Sequence, residues 1–399
     1  MPNFLEAIFI QLQRSADRVV LREVRGEQTV SVTGRELLGK VRDVRSFLRA
    51  RGIQPGDRCA LLGANSISWI ACDLALMAEK AIVVPLYSRQ AVCDLVGMLK
   101  DCSPRLLFAG DESLETSVAN AWSEAPPIVL FEDAIRGETP ETTIENTPLS
   151  RADAELVTII YTSGTSGEPK GVCLTTNNLS HMIGCTTERL AQLMAGRRQP
   201  DRVFHYLPLN FAASWIVMLS SLVRMTEFTL STDLNKLADE IRIAAPDYFL
   251  NVPTLLERVR RGVEENISKQ FAAIRALYSR AKEAWQRRQS GRRRAFDGFW
   301  LDIADLLVFG KVRARFGSHL MALICGSAPL APESQQFFLM LGIPVLQGYG
   351  LTETTGICTL DDPRIPPEAG HVGQAVPGIE MRIGENEEIL VRGPNIFAG

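Results

Sequence analysis

The sequence predicts an α/β protein: two doubly wound α/β units with a small β unit after them. Three observations predict it. Short β-branched and aliphatic runs alternate with helical patterns along most of the chain, which implies mainly parallel sheets covered on both faces. The 399 residues exceed what a single core usually fills. From Gly370 onward the helical patterns stop and only short strands and turns remain.

In order, residues 1 to about 50 read as helix, hairpin, helix. Val19-Val20-Leu21 and Thr29 to Val32 are the strands, Gly26 is at the turn, and Thr33 opens an amphipathic helix. Pro55-Gly56-Asp57 turns into the buried strand Cys59 to Leu62. A helix from about Ser66 to Glu79, the strand Ala81 to Leu86, a helix from about Ala91 to Asp101 and the strand Arg105 to Ala109 complete the first unit. Residues 133 to 152 are polar and lead into the apolar strand Leu156 to Ile160. A second unit follows: a helix from Thr176, the strand Arg202 to Leu209, a nearly all-apolar helix from Phe211, the strand Thr226 to Leu230, a helix from Asp233 and the strand Tyr248 to Pro253. Residues 254–316 are helical and basic, with Arg287, Arg288, Arg292, Arg293 and Arg294 clustered. Such a cluster is most simply a solvated helix end; read functionally, it attracts anionic lipid headgroups or an acidic cosubstrate. The strand to Cys325, the helix Pro332 to Met340 and the strand from Pro344 complete the pattern. We divide the chain into residues 1–200, 201–340 and 341–399.

Composition excludes several classes. A net charge of −3 gives no case for nucleic acid as a partner. Eight scattered cysteines without a C-x-x-C pair read as reduced core residues of a cytoplasmic protein, and four histidines argue against a histidine-based metal centre. No signal peptide or spanning segment is expected, so membrane contact would be peripheral. The lack of G-x-G-x-x-G at a strand–helix turn argues against a dinucleotide site.

Three strand ends carry unusual loops, and ligands of open α/β sheets bind at strand ends. The first is Tyr161-Thr-Ser-Gly-Thr-Ser-Gly-Glu-Pro-Lys-Gly171. Its glycines free backbone N–H groups, Thr162, Ser163, Thr165 and Ser166 add hydroxyls, and Lys170 adds a point charge. Together they make an anion cradle, most naturally for a polyphosphate. The spacing is not that of a P-loop, and the loop leads into a strand rather than a helix. The second loop, Gly326-Ser-Ala-Pro-Leu330, offers mainly backbone groups to a planar heterocycle. The third, Gly348-Tyr-Gly-Leu-Thr-Glu-Thr-Thr-Gly356, offers an aromatic face at Tyr349, a hydroxyl at Thr352 and a carboxylate at Glu353. A carboxylate beside a polyphosphate calls for a bridging hard cation, and Mg²⁺ suits phosphate oxygens plus few carboxylates. The three loops read together as a Mg-nucleotide site.

These strings, with Gly373-Gln-Ala-Val-Pro-Gly378 and Val391-Arg-Gly-Pro394, resemble the adenylate-forming superfamily of acyl-CoA synthetases, luciferases and nonribosomal-peptide adenylation domains. The resemblance covers the whole chain. The basic helical insertion ending Leu307-Val-Phe-Gly-Lys-Val-Arg313 makes it most similar to long-chain fatty acyl-CoA synthetases. What this implies is a large N-terminal domain of two α/β subdomains and a small β-barrel-like subdomain. The implied reaction is attack of a fatty acid carboxylate on the α-phosphate of ATP, then transfer of the acyl group to a thiol. By motif, Thr162, Ser163, Gly164, Thr165, Ser166, Gly167 and Lys170 face the phosphates. Gly326, Ser327, Ala328, Gly348, Tyr349 and Gly350 line the adenine slot, Thr352 approaches the α-phosphate, and Glu353 holds Mg²⁺. The acyl chain runs among Phe211, Trp215, Val252, Pro253, Cys325, Gly326 and Gly356. Lys170, Thr352 and Glu353 carry the catalytic roles.

Two departures from the pattern matter. A ring often stands as histidine after Leu-Pro-Leu in the superfamily; here Leu207-Pro208-Leu209-Asn210 leads to Phe211. Superfamily members also continue past a position equivalent to Gly399, with a mobile lid domain bearing a further lysine, so the resemblance implies that the chain corresponds to the N-terminal domain alone. The acceptor thiol is that of CoA or of a carrier protein, and a non-catalytic acyl or nucleotide sensor is the alternative of another class.

Overall fold

The computed structural model describes residues 3–26, 28–136, 144–163, 168–197 and 200–399. The strands in chain order are β1 (Val19–Arg25), β2 (Gln28–Thr33), β3 (Arg58–Leu62), β4 (Ile82–Leu86), β5 (Leu106–Ala109), β6 (Ile128–Leu130), β7 (Leu156–Ser163), β8 (Pro169–Thr175), β9 (Asp201–His205), β10 (Thr226–Ser231), β11 (Tyr248–Asn251), β12 (Ala322–Cys325), β13 (Val345–Tyr349), β14 (Thr359–Leu360), β15 (Gln374–Ala375), β16 (Glu380–Ile383) and β17 (Ile389–Arg392). They form a six-stranded sheet, ordered β6-β5-β3-β4-β7-β8, and a nine-stranded sheet, ordered β15-β14-β13-β12-β11-β9-β10-β1-β2. The small third unit is the antiparallel pair β16–β17.

Both large sheets are parallel at their centres, as alternating strands and helices require. The N-terminal hairpin β1–β2 does not join the strands next to it in sequence. It pairs with β10, placing Leu21 beside Phe228, so the nine-stranded sheet draws on both ends of the chain.

Side chains alternate across each strand. Leu61 of β3 therefore faces the main core, while Ala60 and Leu62 face a smaller cluster under the helix Val92–Cys102. The layer between the sheets contains two helices that are apolar nearly all round, which only full enclosure can satisfy. Every residue of Ile67–Ala78 is buried, and this helix packs on β1 of one sheet and on β3 and β4 of the other. In Ala212–Val223 only Ala213 and Val223 escape full burial. The two helices are tied by Trp215, whose indole Nε1–H donates to Asp73 Oδ2 at 2.9 Å.

Strand order places a switch point beside β9. The chain goes from β9 to β10 on one side and returns to β11 on the other. β9 and β11 share a single pairing, Tyr248 with Val203, and beyond it their C-terminal ends leave the crevice in which open α/β sheets bind ligands.

Candidate active site

The first wall of the site is the β7–β8 hairpin. β7 is anchored in the six-stranded sheet, where the buried Thr158 hydroxyl donates to Val83 O at 2.9 Å. The hairpin then extends through the antiparallel pairs Tyr161–Gly171, Thr162–Lys170 and Ser163–Pro169. Gly171 is favoured by packing: a Cβ there would lie 2.7 Å from Ile159 Cγ2 and 3.4 Å from the Tyr161 ring, both side-chain atoms. The Tyr161 hydroxyl donates to Asp101. Burial, and then that acceptor, hold its phenol well above the usual range. Lys170 is exposed beside Thr162, and among the described residues no carboxylate pairs with it. Gly164, Thr165, Ser166 and Gly167 lie outside the described residues.

The second wall is built from the ends of β12 and β13. Gly326 lets these strands meet, since a Cβ would stand 3.1 Å from Gly348 O. Ser327 then adopts φ of +72°, a left-handed conformation that costs a non-glycine residue free energy and tends to be kept at binding sites. The turn after β13 is tighter still. A Cβ on Gly350 would lie 2.4 Å from Gly356 O and 2.6 Å from Ile357 Cα. Thr355 is buried in the left-handed region at φ +55°.

The last residues bind the two walls together. Asn178, on the helix begun by the Thr175 cap, donates from Nδ2 to Pro394 O and Ile396 O at 2.7 and 2.8 Å. Cys173 of β8 exchanges backbone hydrogen bonds with Ala398 and Gly399. On the other side Thr355 Oγ1 donates to Asn395 O at 2.7 Å, Asn395 Nδ2 donates to Thr354 O at 3.2 Å, and Phe397 N–H donates to Glu353 O at 3.0 Å. Residues 393–399 thus form a strap from the hairpin to the turn that follows β13. Every acceptor in these bonds is a backbone carbonyl, which leaves no mark on the sequence.

Between the walls lies a cavity of about 550 Å³. Its polar part carries Thr162, Ser163, Ser327, Thr352 and Glu353. Its apolar part carries Phe211, Ala213, Val217, Leu250, Ile324, Cys325 and Ile357, with Gly326 and Gly356 at the walls. Gly348 and Gly350 also line it. The nucleotide-type and acyl-type residues therefore meet in one space. Ala213 and Val217 face it because they stand four apart on one helix face; Trp215, two residues from each, points to Asp73 instead and is fully enclosed. Val252 and Pro253 begin the helix Pro253–Ser268 and do not line the cavity, nor do Lys170, Ala328 and Tyr349. Asn210, Thr186, Leu250, Ile324 and Ile357 line it without having been singled out by motif.

Among the described residues, neither the cysteine lining the cavity nor the histidine that ends β9 is poised for acid–base or thiol chemistry. Burial pushes the Cys325 thiol up to about 12 and holds His205, at the end of β9, down to about 4. Among the described residues no group of histidines, cysteines and carboxylates could hold a metal alone. Glu353 is half-buried at the cavity with no side-chain partner among the described residues. One free carboxylate suits Mg²⁺ that takes its other ligands from phosphate and water.

A second cavity, of about 490 Å³, lies at the C-terminal ends of β3, β4, β5, β9 and β10. It shares Asn210 and Phe211 with the first. The Phe211 ring is 48 % exposed and lies 5.9 Å from the Tyr87 ring. Arg25 and Arg89 also line this cavity.

Comparison with known proteins agrees with this geometry. The chain is 28 % identical to the long-chain-fatty-acid–CoA ligase FadD15 of Mycobacterium bovis, an alignment covering 100 % of this chain and 68 % of that protein. It is 26 % identical to long chain acyl-CoA synthetase 3 of Arabidopsis thaliana, over 92 % of this chain and 60 % of that protein. In fold it matches unliganded O-succinylbenzoate coenzyme A synthetase of Bacillus subtilis, with a TM-score of 0.72 at 20 % identity over 100 % of this chain and 71 % of that one. It also matches the N-terminal domain of FACL13 from Mycobacterium tuberculosis, with a TM-score of 0.74 at 19 % identity over 100 % of this chain and 90 % of that one. The AMP-binding enzyme family model matches residues 8–399, and the chain belongs to that family.

Proposed function

We propose that this chain binds ATP and a long-chain fatty acid and supports formation of acyl-AMP, with CoA as the thiol that then displaces AMP. The observation that supports it most is the two-ended cavity: hydroxyls and a free carboxylate at one end, an apolar wall at the other, in one space. A carboxylate oxygen attacks the α-phosphorus, and the bond to the leaving pyrophosphate breaks. The attacking group is already ionised, so the step needs positioning and charge neutralisation rather than a general base. That agrees with a cavity whose lining, among the described residues, includes no histidine and a Cys325 thiol that burial keeps protonated.

In this reading Thr162, Ser163 and Lys170, with Gly164, Thr165, Ser166 and Gly167, take the phosphates. Gly326, Ser327 and Ala328 take the adenine edge and Tyr349 its face. Thr352 donates to the α-phosphate. Glu353 is the residue that would hold Mg²⁺, which neutralises polyphosphate charge when bound. The acyl chain follows Ala213, Val217, Leu250, Ile324 and Cys325, in place of the Trp215, Val252 and Pro253 of the motif-based set. The second cavity gives the acceptor thiol a route that meets the acyl end at Asn210 and Phe211.

Pyrophosphate release with a panel of carboxylates, with and without CoA and carrier protein, tests the reading. It expects Mg-ATP-dependent release with long aliphatic acids and acyl-CoA when CoA is present. Release that ignores the carboxylate overturns it; an acyl carrier product in place of acyl-CoA overturns the acceptor assignment alone.

A further inference from the structure

The loop that leaves β3 reaches across to the other sheet. At its start Gly63 has little room for a side chain: a Cβ there would lie 2.5 Å from the Phe131 ring and 3.2 Å from Gly110 Cα. At its end Ser66 caps the enclosed helix Ile67–Ala78, its Oγ accepting from Trp69 N–H at 3.0 Å. The Ile67 N–H donates to Oε2 of the buried Glu23, on β1, at 3.1 Å. The loop is therefore fixed at both ends, and Asn65 stands between them.

Asn65 spends both halves of its amide on one segment of the nine-stranded half. Nδ2 donates to Leu207 O at 2.7 Å, and Oδ1 accepts from Leu209 N–H at 2.9 Å. A carbonyl and an N–H two residues apart are the pair that one residue of a neighbouring parallel strand would bond. The side chain thus replaces a strand where β9 has already ended, at His205. The segment needs that partner. Pro208, between the two bonded residues, has no N–H and cannot continue a ladder. Leu209 is buried, where an unpaired N–H is costly.

The bonded backbone leads directly into the turn between the two cavities. Pro208 O accepts from Phe211 N–H at 3.2 Å, and Phe211 O accepts from Trp215 N–H at 2.9 Å. Asn210 and Phe211, carried on that turn, line both cavities, and Asn65 lines the second. The two halves of the molecule are already joined by Trp215 to Asp73 and by Ile67 to Glu23. What Asn65 adds is the placement of this one turn.

We infer that Asn65 is a positioning residue that sets the partition between the two cavities, by holding the backbone that carries Asn210 and Phe211. Its consequence for the reaction rests on the function proposed above, in which the thiol meets the acyl end at that partition. There the thiol sulfur bonds to the acyl carbon, the bond from that carbon to the AMP oxygen breaks with its electron pair leaving on AMP, and the thiol proton passes to water. Asn65 acts on this transfer and not on adenylate formation.

Fluorine NMR and single-turnover kinetics test it. Fluorophenylalanine placed at position 211 should give one sharp resonance, which Asn65→Ala shifts or broadens. Pyrophosphate release and transfer from added acyl-adenylate to CoA are then followed separately. Asn65→Ala should slow transfer roughly 10- to 100-fold and leave release within about 2-fold. Asn65→Asp keeps the acceptor for Leu209 N–H and loses the donor to Leu207 O; it should show the same split, and it stands in for an alanine variant that does not fold. Ser68→Ala removes a 2.6 Å hydrogen bond to Glu132 from the same helix and should change neither the resonance nor the two rates. An unchanged resonance in the folded Asn65 variants overturns the inference, and so does equal slowing of release and transfer. A wild-type chain that releases no pyrophosphate overturns the proposed function instead, and the fluorine resonance still decides the role of Asn65.

Discussion

The two walls of the cavity are built on opposite plans. The turn after β13 is locked: Gly350 has no room for a methyl group, Thr355 is held left-handed, and the strap hydrogen-bonds to three consecutive residues. The hairpin wall is anchored near its base, through Thr158, Tyr161 and the backbone bonds of Cys173 to the strap, and its one lysine is exposed and unpaired among the described residues. The difference teaches where pre-organisation is spent. On the proposed function, the wall for adenine and metal is shaped before ligand arrives, and the charge for the phosphates is presented on an arm whose partner would be the ligand itself.

The largest effects should come from groups that only ligand satisfies. Lys170→Ala and Glu353→Ala should each lower adenylate formation by about 100- to 1,000-fold while leaving thermal stability within about 0.5 kcal/mol. Pyrophosphate release and a denaturation curve measure the two quantities.

Glycine substitutions should separate the walls by stability. Gly350→Ala forces a Cβ against backbone atoms at 2.4 and 2.6 Å and should cost about 3 kcal/mol. Gly171→Ala meets side-chain atoms of Ile159 and Tyr161 that can shift and should cost about 1 kcal/mol. Equal urea midpoints for the two would erase the contrast.

The strap should come next. Asn395→Ala removes the donor to Thr354 O and should cost about 2 kcal/mol. It should weaken binding of an acyl-adenylate analogue more than Cys173→Ser does on the hairpin side, where the contacts are made by backbone atoms. Calorimetric titration of both variants tests the ordering.

A further effect is a pH dependence in the layer beneath both walls, where Asp73 and Trp215 join a helix from each half. Burial pushes the Asp73 carboxyl up to about 7, against the partial relief of the Trp215 hydrogen bond. Its folded value lies above its unfolded value, so the folded state holds a proton that the unfolded chain has lost. Stability should fall as pH rises between about 4 and 7, by about 1.4 kcal/mol per unit within that window. Asp73→Asn keeps an acceptor for the indole and should flatten this slope and stabilise the chain near pH 8. An unchanged slope in the variant would place the titrating group elsewhere.

How much of this was legible follows from what leaves a mark on sequence. The strands and the three loops were legible because β-branched runs and glycine-rich turns are local patterns. The pairing of Leu21 with Phe228 was not, since parallel pairing across some two hundred residues has no local signature. Trp215 was placed with the acyl pocket because an all-apolar helix hides which face meets the cavity; its indole donor had a buried carboxylate to satisfy. The strap has no sequence signature because its work is done by backbone carbonyls and by two asparagines with no motif of their own. Gly164 to Gly167, which the motif places at the centre of a phosphate cradle, lie outside the described residues.

The central claim is that one cavity holds both ends of an acyl-adenylate. Isothermal titration with a non-hydrolysable long-chain acyl-adenylate analogue tests it most directly, on wild type, Thr352→Val at the polar end and Val217→Trp at the apolar end. The account predicts one molecule bound per chain, weaker binding in both variants, and recovery of binding to Val217→Trp when the acyl chain is shortened. Binding unchanged by both substitutions, or weakened equally for long and short chains in Val217→Trp, would contradict it.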